Sequence, residues 1–268
     1  MNIKFYKYHG AGNDFIIIDA GKLKNKLTSM QISDMCSRRT GIGADGILLL
    51  EKINNNSLYS LTMRYYNSDG TLADMCGNGL RCAAAFANKI FKIEKQLKVK
   101  TDAGILSAEI IDKNNVKIEI PIIKYPAETV IEGKTIYYCN TGVPHAVIIK
   151  NEIRNINVNK EGNFYRNHSF FQPSGTNVNF ISEIEKSIYS IRTYERGVEE
   201  ETLACGTGIS ASALTLNYSL NIPFPIIFKT KNEDTLKVDS SYKDNCLSLT
   251  GPIKQAFKGV YSLDVIQI

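Results

Sequence analysis

Two stretches of this chain repeat one plan, and that repetition restricts the fold more than any other feature. Asn67-Ser68-Asp69-Gly70-Thr71-Leu72-Ala73-Asp74-Met75-Cys76-Gly77-Asn78-Gly79-Leu80-Arg81-Cys82 reads as a strand end, a tight turn, then a cysteine and glycines opening an apolar helix. Tyr194-Glu195-Arg196-Gly197-Val198-Glu199-Glu200-Glu201-Thr202-Leu203-Ala204-Cys205-Gly206-Thr207-Gly208 has the same order of parts. Cys76 lies nine positions after Asn67, and Cys205 nine after Arg196. A strand, turn and helix that recur with one spacing imply an internal duplication, in which each copy folds around its own helix.

The chemistry of the repeat follows from its residue types. Glycines let the backbone turn sharply and approach a ligand closely, and a helix that begins there presents unpaired N–H groups and a positive dipole end. Such a terminus binds anions. A cysteine on the same turn feels that dipole, which lowers its thiol pKa from about 8.5 and raises the thiolate fraction. Each copy therefore joins a carboxylate cradle to a base. Two copies facing one bound carbon would place a thiolate on one side and a thiol on the other, as inversion of an amino-acid α-carbon requires. That chemistry needs no pyridoxal phosphate. For a lone Cys-Gly the plainer reading is a small buried residue at a helix start; the matched pair favours catalysis.

These two segments, with His9-Gly10-Ala11-Gly12-Asn13-Asp14-Phe15, Thr141-Gly142-Val143-Pro144-His145 and Thr176-Asn177-Val178-Asn179-Phe180, resemble the diaminopimelate epimerase family, in the same order along the chain to about Tyr218. The resemblance implies stereoinversion of LL-diaminopimelate to the meso isomer by thiol and thiolate, in lysine and peptidoglycan precursor synthesis, with no cofactor. It implies Cys76 and Cys205 as the catalytic pair and Asn13, Asn67, Asn177, Glu195 and Arg196 as substrate contacts. Gly77, Asn78, Gly206 and Thr207 fall in the carboxylate cradle, and His145 and Glu195 stand beside the thiols. Arg196 matches the family's distal-carboxylate ligand, which its planar fork suits. The family further suggests a homodimer. Two positions depart from its pattern: Gly46 stands where many members carry a substrate-contacting Gln, and Val143 where many carry a substrate-binding Asn. They leave room for a racemase of another amino acid, such as histidine. A non-catalytic amino-acid-binding protein is the third reading.

Composition excludes other classes. A chain of 268 residues can bury one large or two medium cores, and 32 basic against 27 acidic residues give only +5. No dense Lys/Arg cluster is interleaved with aromatics, so nucleic acid is not an expected partner. The six cysteines, Cys36, Cys76, Cys82, Cys139, Cys205 and Cys246, show no paired metal spacing, and no metal site is expected. No apolar run approaches the ~18 residues of a membrane span, and the first residues lack a signal-peptide pattern. A cytoplasmic protein without a membrane partner is expected. The Gly10-Ala11-Gly12 loop leads into a strand rather than a helix, against a dinucleotide cradle.

The fold class expected is α+β, with two pseudo-symmetric domains, each a mixed sheet wrapped around a central helix. Periodicity predicts strands over 3–8, 15–19, 47–51 and 58–66, a short helix over 29–39 and the first apolar helix over 80–91. A hairpin follows across Asn114-Asn115, then a crossing over 121–126. The second half repeats the order, with strands over 136–140, 146–150, 177–182 and 187–194, a polar surface segment over 151–167, and a helix over 207–220. The expected domains are 1–120 and 121–257, with a last strand over about 258–268 returning to the first.

Overall fold

The computed structural model describes residues 2–53, 58–73 and 75–263. The chain divides into two compact units: one runs to Ile118 and takes back the chain from Pro252 onward, and the other is Glu119–Gly251.

In the first unit β1 (Asn2–Gly10) and β2 (Asn13–Asp19) form a hairpin through Ala11-Gly12, and β2 lies parallel to β3 (Gly46–Lys52). Between them α1 (Ser29–Cys36) starts at Thr28, whose hydroxyl accepts from the Gln31 amide while the Gln31 side chain accepts from the Thr28 amide. That reciprocal cap satisfies two otherwise unpaired donors. The sheet continues with β4 (Leu61–Asn67), antiparallel to β3, the short β5 (Leu72–Ala73) on its edge, then β6 (Gln96–Thr101), β7 (Gly104–Ile110) and β8 (Asn115–Pro121). At its centre is α2 (Gly77–Phe86), which a wider turn, Ala87–Phe91, prolongs. Nine of its residues, all but Ala85, are buried. Gly, Ala and Cys keep the helix thin enough for the sheet to curl around it, as a helix buried on nearly every side requires.

The second unit is built the same way. β9 (Lys124–Ile131), β10 (Lys134–Asn140) and β11 (Pro144–Ile149) run antiparallel, and β11 is parallel to β12 (Asn177–Glu185). α3 (Val158–Asn167) lies in the β11–β12 connection, capped by the Asn157 side chain. β13 (Ile188–Glu195) follows, with β14 (Glu200–Thr202) on its edge, then β15 (Ile226–Lys229), β16 (Thr235–Ser240) and β17 (Cys246–Pro252). The central helix is α4 (Gly206–Leu220), buried on all sides from Gly206 to Leu216. The last strand, β18 (Lys254–Ser262), pairs antiparallel with β1 over its whole length.

The order β18-β1-β2-β3-β4-β6-β7-β8 in one unit therefore has its counterpart, strand for strand and direction for direction, in β9-β10-β11-β12-β13-β15-β16-β17 of the other. This is the α+β architecture of mixed sheets around central helices. Three differences from the sequence reading stand out. α1 stops at Cys36, before Arg39, because the amides of Ile42 and Gly43 turn back to the Met35 carbonyl and that of Ala44 to Cys36. The segment read as a crossing holds β9 instead, whose Pro126 sits where the register against β10 slips between Tyr138 and Asn140, so that the ladder does not need its missing N–H. The returning strand starts at Lys254 rather than about 258; its expected course beyond 263 lies outside the described residues.

Candidate active site

In each unit the helix start is where the strand ends gather. Cys76 is the N-cap of α2, with extended backbone (φ −138°, ψ 120°), and its sulfur accepts from the Gly79 amide at 3.4 Å. Asn13, at the start of β2, reaches the same place: its Oδ1 accepts from the Cys76 thiol at 3.5 Å and from Asn78 Nδ2 at 3.3 Å. Asn78 Oδ1 in turn accepts from the buried Arg81 guanidinium at 2.8 Å. Asn67 ends β4, and its side-chain Nδ2 donates to Thr71 Oγ1 across the turn.

The orientation of Asn13 comes from charges behind it. Asn13 Nδ2 donates to Asp45 Oδ2 at 2.7 Å, so Oδ1 must face the cysteine. Arg38 grips Asp14 with both terminal nitrogens, at 2.8 and 3.1 Å, and Asp45 with one, at 2.6 Å. The buried Lys7 ammonium lies 2.6 Å from Asp14 and donates to the Gly43 carbonyl. Burial alone would raise the Asp14 carboxyl, but hydrogen bonds from Arg38 and Lys7 outweigh it and hold the group at about 2.

The bed under α2 is apolar. A Cβ built on Gly79 would lie 3.2 Å from Leu48 Cδ2 and 3.6 Å from Phe15 Cε1. At Gly46 a Cβ would meet the Tyr66 carbonyl at 2.3 Å and the Tyr65 ring at 2.6 Å, and that ring stands edge to face with Phe15. Tyr65 thus covers the strand where many family members have a Gln, and no larger residue fits there without moving the strand.

Cys205 is the N-cap of α4 (φ −114°, ψ 107°), buried at 8% exposure, with its sulfur 3.3 Å from the Thr207 hydroxyl. Gly206 and Thr207 form the first turn, tied down by the buried Thr141, whose hydroxyl donates to the Thr207 carbonyl at 2.9 Å. Asn177 opens β12; its Nδ2 donates to the Pro144 carbonyl and its Oδ1 accepts the Arg196 amide at 2.8 Å. Arg196 donates from Nη1 to the Ser174 carbonyl at 3.1 Å. Glu195 ends β13 and pairs in register with Glu200. His145, on β11, is fully buried, and burial, with the Arg196 charge second, pushes its imidazole down to about 3. It is therefore neutral at any physiological pH.

Register refines one correspondence. Tyr65 faces Ala73 as Thr193 faces Thr202, and in each unit the cysteine lies three positions past the second residue. Asn67 then corresponds to Glu195, not to Arg196. The β13–β14 turn has one extra residue, taken up by Gly197 at φ 92° and Glu199 at φ 61°. Val143, where the family often has Asn, is half-buried and its carbonyl accepts the Thr141 amide.

The other cysteines are not poised for chemistry. Burial pushes the thiols of Cys36 and Cys139 up to about 12, and raises Cys82 and, less strongly, Cys246. Among the described residues no group of three or more His, Cys, Asp or Glu side chains could hold a metal ion, and no helix is long and apolar enough to cross a membrane. Motif reading passed over two supports of the site, the Arg38–Asp45 pair behind Asn13 and Asn179 with Thr193 beneath α4. Asn179 was open to detection, since strand alternation puts it on the same face as Asn177.

The duplicated sheet-around-helix fold is shared with known epimerases and PhzF proteins. A PhzF-family phenazine biosynthesis protein from Bacillus anthracis superposes with a TM-score of 0.73 at 14% identity, covering 98% of this chain and all of that one. A hydroxyproline epimerase from Agrobacterium vitis, solved with trans-4-hydroxy-L-proline, gives 0.69 at 16% identity over 99% of this chain and 92% of its own. In sequence, the diaminopimelate epimerase profile matches residues 5–121 and 137–254. Diaminopimelate epimerases of Aquifex aeolicus (36% identity, 99% of this chain, 100% of the relative) and a Hydrogenobaculum strain (39%, 97% and 98%) align over nearly the whole length. The chain belongs to the diaminopimelate epimerase family and is an isomerase.

Proposed function

We propose that the protein interconverts LL- and meso-diaminopimelate by proton transfer at one α-carbon between the thiols of Cys76 and Cys205. The observation that carries this is the pairing of each cysteine with the N-terminus of a buried central helix. One sulfur, as thiolate, takes the α-proton and becomes a thiol. The electron pair left on carbon delocalises into the α-carboxylate, and the other thiol delivers its proton to the opposite face and is left as thiolate. Bonds and charge balance without an oxidant or cofactor. The next turnover in the reverse sense restores the starting protonation.

The helix-start amides around Gly77, Asn78, Gly206 and Thr207 hold the carboxylate and favour the charge that grows on it. Asn67, Asn177 and Arg196 grip the distal amino-acid head group, whose carboxylate suits the Arg196 fork, and Asn13 and Glu195 are further substrate contacts. His145 and Glu195 stand beside the thiols. Retention of that second set of polar groups favours diaminopimelate over a substrate with one head group, such as histidine. The enzyme acts as a homodimer in the cytoplasm.

Proton NMR of LL-diaminopimelate in D₂O with reduced, purified protein and no pyridoxal phosphate tests the reading. Loss of one α-proton signal together with appearance of the meso isomer is the expected outcome. Exchange on histidine, proline or glutamate with none on diaminopimelate would overturn the substrate assignment. Undiminished turnover in both Cys76→Ala and Cys205→Ala would overturn the mechanism.

A further inference from the structure

His145 is held by one neighbour in a manner that determines which of its nitrogens carries the proton. Asn179 sits two residues along β12 from Asn177, fully buried. Its Nδ2 lies 3.0 Å from the Ala146 carbonyl and 3.2 Å from His145 Nδ1, and its Oδ1 accepts from the Thr193 hydroxyl at 3.0 Å. A carbonyl can only accept, so the Ala146 contact excludes the flipped amide, in which two oxygens would meet. Both Nδ2 hydrogens are then spoken for, one on Ala146 and one pointing at His145 Nδ1. That nitrogen must be the unprotonated one, and the proton of the neutral ring resides on Nε2. Nε2 is buried and has no hydrogen-bond partner among the described residues.

The same amide also meets the catalytic helix. A Cβ at Gly208 would lie 2.2 Å from Asn179 Oδ1, so the first turn of α4, which Cys205 caps, rests on this side chain. One asparagine thus links the helix start to the histidine ring.

We propose that Asn179 is a positioning residue that locks His145 as the neutral Nε2–H tautomer, making it a hydrogen-bond donor to an anion at the site and not a proton-accepting base. A buried N–H without a partner is costly, and an anionic acceptor in the reaction, a thiolate or a carboxylate, satisfies it. The inference rests on the epimerase reading for its purpose, but the state of the ring is measurable on the substrate-free protein.

The test is the ¹⁵N spectrum of the imidazoles. The chain has three histidines, His9, His145 and His168, so comparison with His145→Gln assigns the signal of interest. The expected spectrum shows His145 with Nε2 protonated and Nδ1 bare, unchanged between pH 5 and 8. A bare Nε2, or titration to imidazolium in that range, would overturn the proposal whatever the enzyme's substrate. In Asn179→Asp the carboxylate can only accept from Nδ1, so the proton should move to Nδ1, with kcat reduced at least about tenfold and KM changed by less than about threefold. A folded Asn179→Asp protein with the proton on Nδ1 and undiminished kcat would show that the tautomer has no role in turnover. Should that variant not fold, the wild-type spectrum still decides the tautomer.

Discussion

The two helix starts share one frame and lie on different beds. Under α2 the strands present Phe15, Leu48 and the Tyr65 ring, so Cys76 stands over apolar packing and takes its polar contacts from Asn13 and the Gly79 amide. Under α4 the matching strands present His145, Asn179 and Thr193, a buried hydrogen-bonded row. Duplication supplies the geometry twice, and the residues two apart on the parallel strands decide what each copy does with it. A reaction that needs an acid on one side and a base on the other benefits from halves that are alike in shape and unlike in chemistry.

The largest expected effect breaks the pair itself. Cys76→Ala or Cys205→Ala should each lower turnover by about 10²–10⁴-fold, with thermal unfolding close to that of the parent. Next comes the bed. Gly208→Ala forces a methyl onto the fixed Asn179 oxygen and should cost about 2 kcal/mol of stability. Gly79→Ala has its tightest contact with the end of the Leu48 side chain at 3.2 Å, and the gain in helix propensity of up to about 1 kcal/mol should leave it near neutral. Denaturant melts of the two variants measure the contrast directly, and equal costs would mean that the beds do not differ in rigidity. A substitution that reads the support of Asn13 has a comparable or slightly smaller effect. The Asp14 carboxyl has a folded pKa near 2, below its unfolded value near 4, so it stabilises the protein above pH 4 and loses that contribution as pH falls through 2. About 2 kcal/mol is at stake. Asp14→Asn should therefore flatten the acid limb of the stability curve as well as lowering the plateau. The smallest expected effect is in binding: Arg196→Lys should raise KM for a dicarboxylic substrate by about tenfold while kcat falls less, because a point charge replaces a fork.

How much of this was legible beforehand depends on the range of the signal. The cysteine turns, the buried β2 and β12 runs and both central helices lie in continuous stretches whose period and glycines state their structure. The β9 strand was not legible, because Tyr125-Pro126 looks like a break and only the slipped register on β10 makes room for it. The correspondence of Asn67 with Glu195 was equally hidden: counting back from the cysteines selects Arg196, and only the ladder shows that one turn is a residue longer. The charged support of Asn13 draws on Lys7, Asp14, Arg38 and Asp45, and the tautomer of His145 on an amide 34 positions away. Such contacts are made by the fold and leave no periodic trace.

The pairing of β18 with β1 has a consequence for biosynthesis. During translation the middle of the chain, Glu119–Gly251, is complete before Lys254–Ser262 leaves the ribosome, so the second unit can close its sheet while the first still shows an open edge along β1. The half made first is the half finished last, and until β18 pairs with β1 its sheet keeps an open edge.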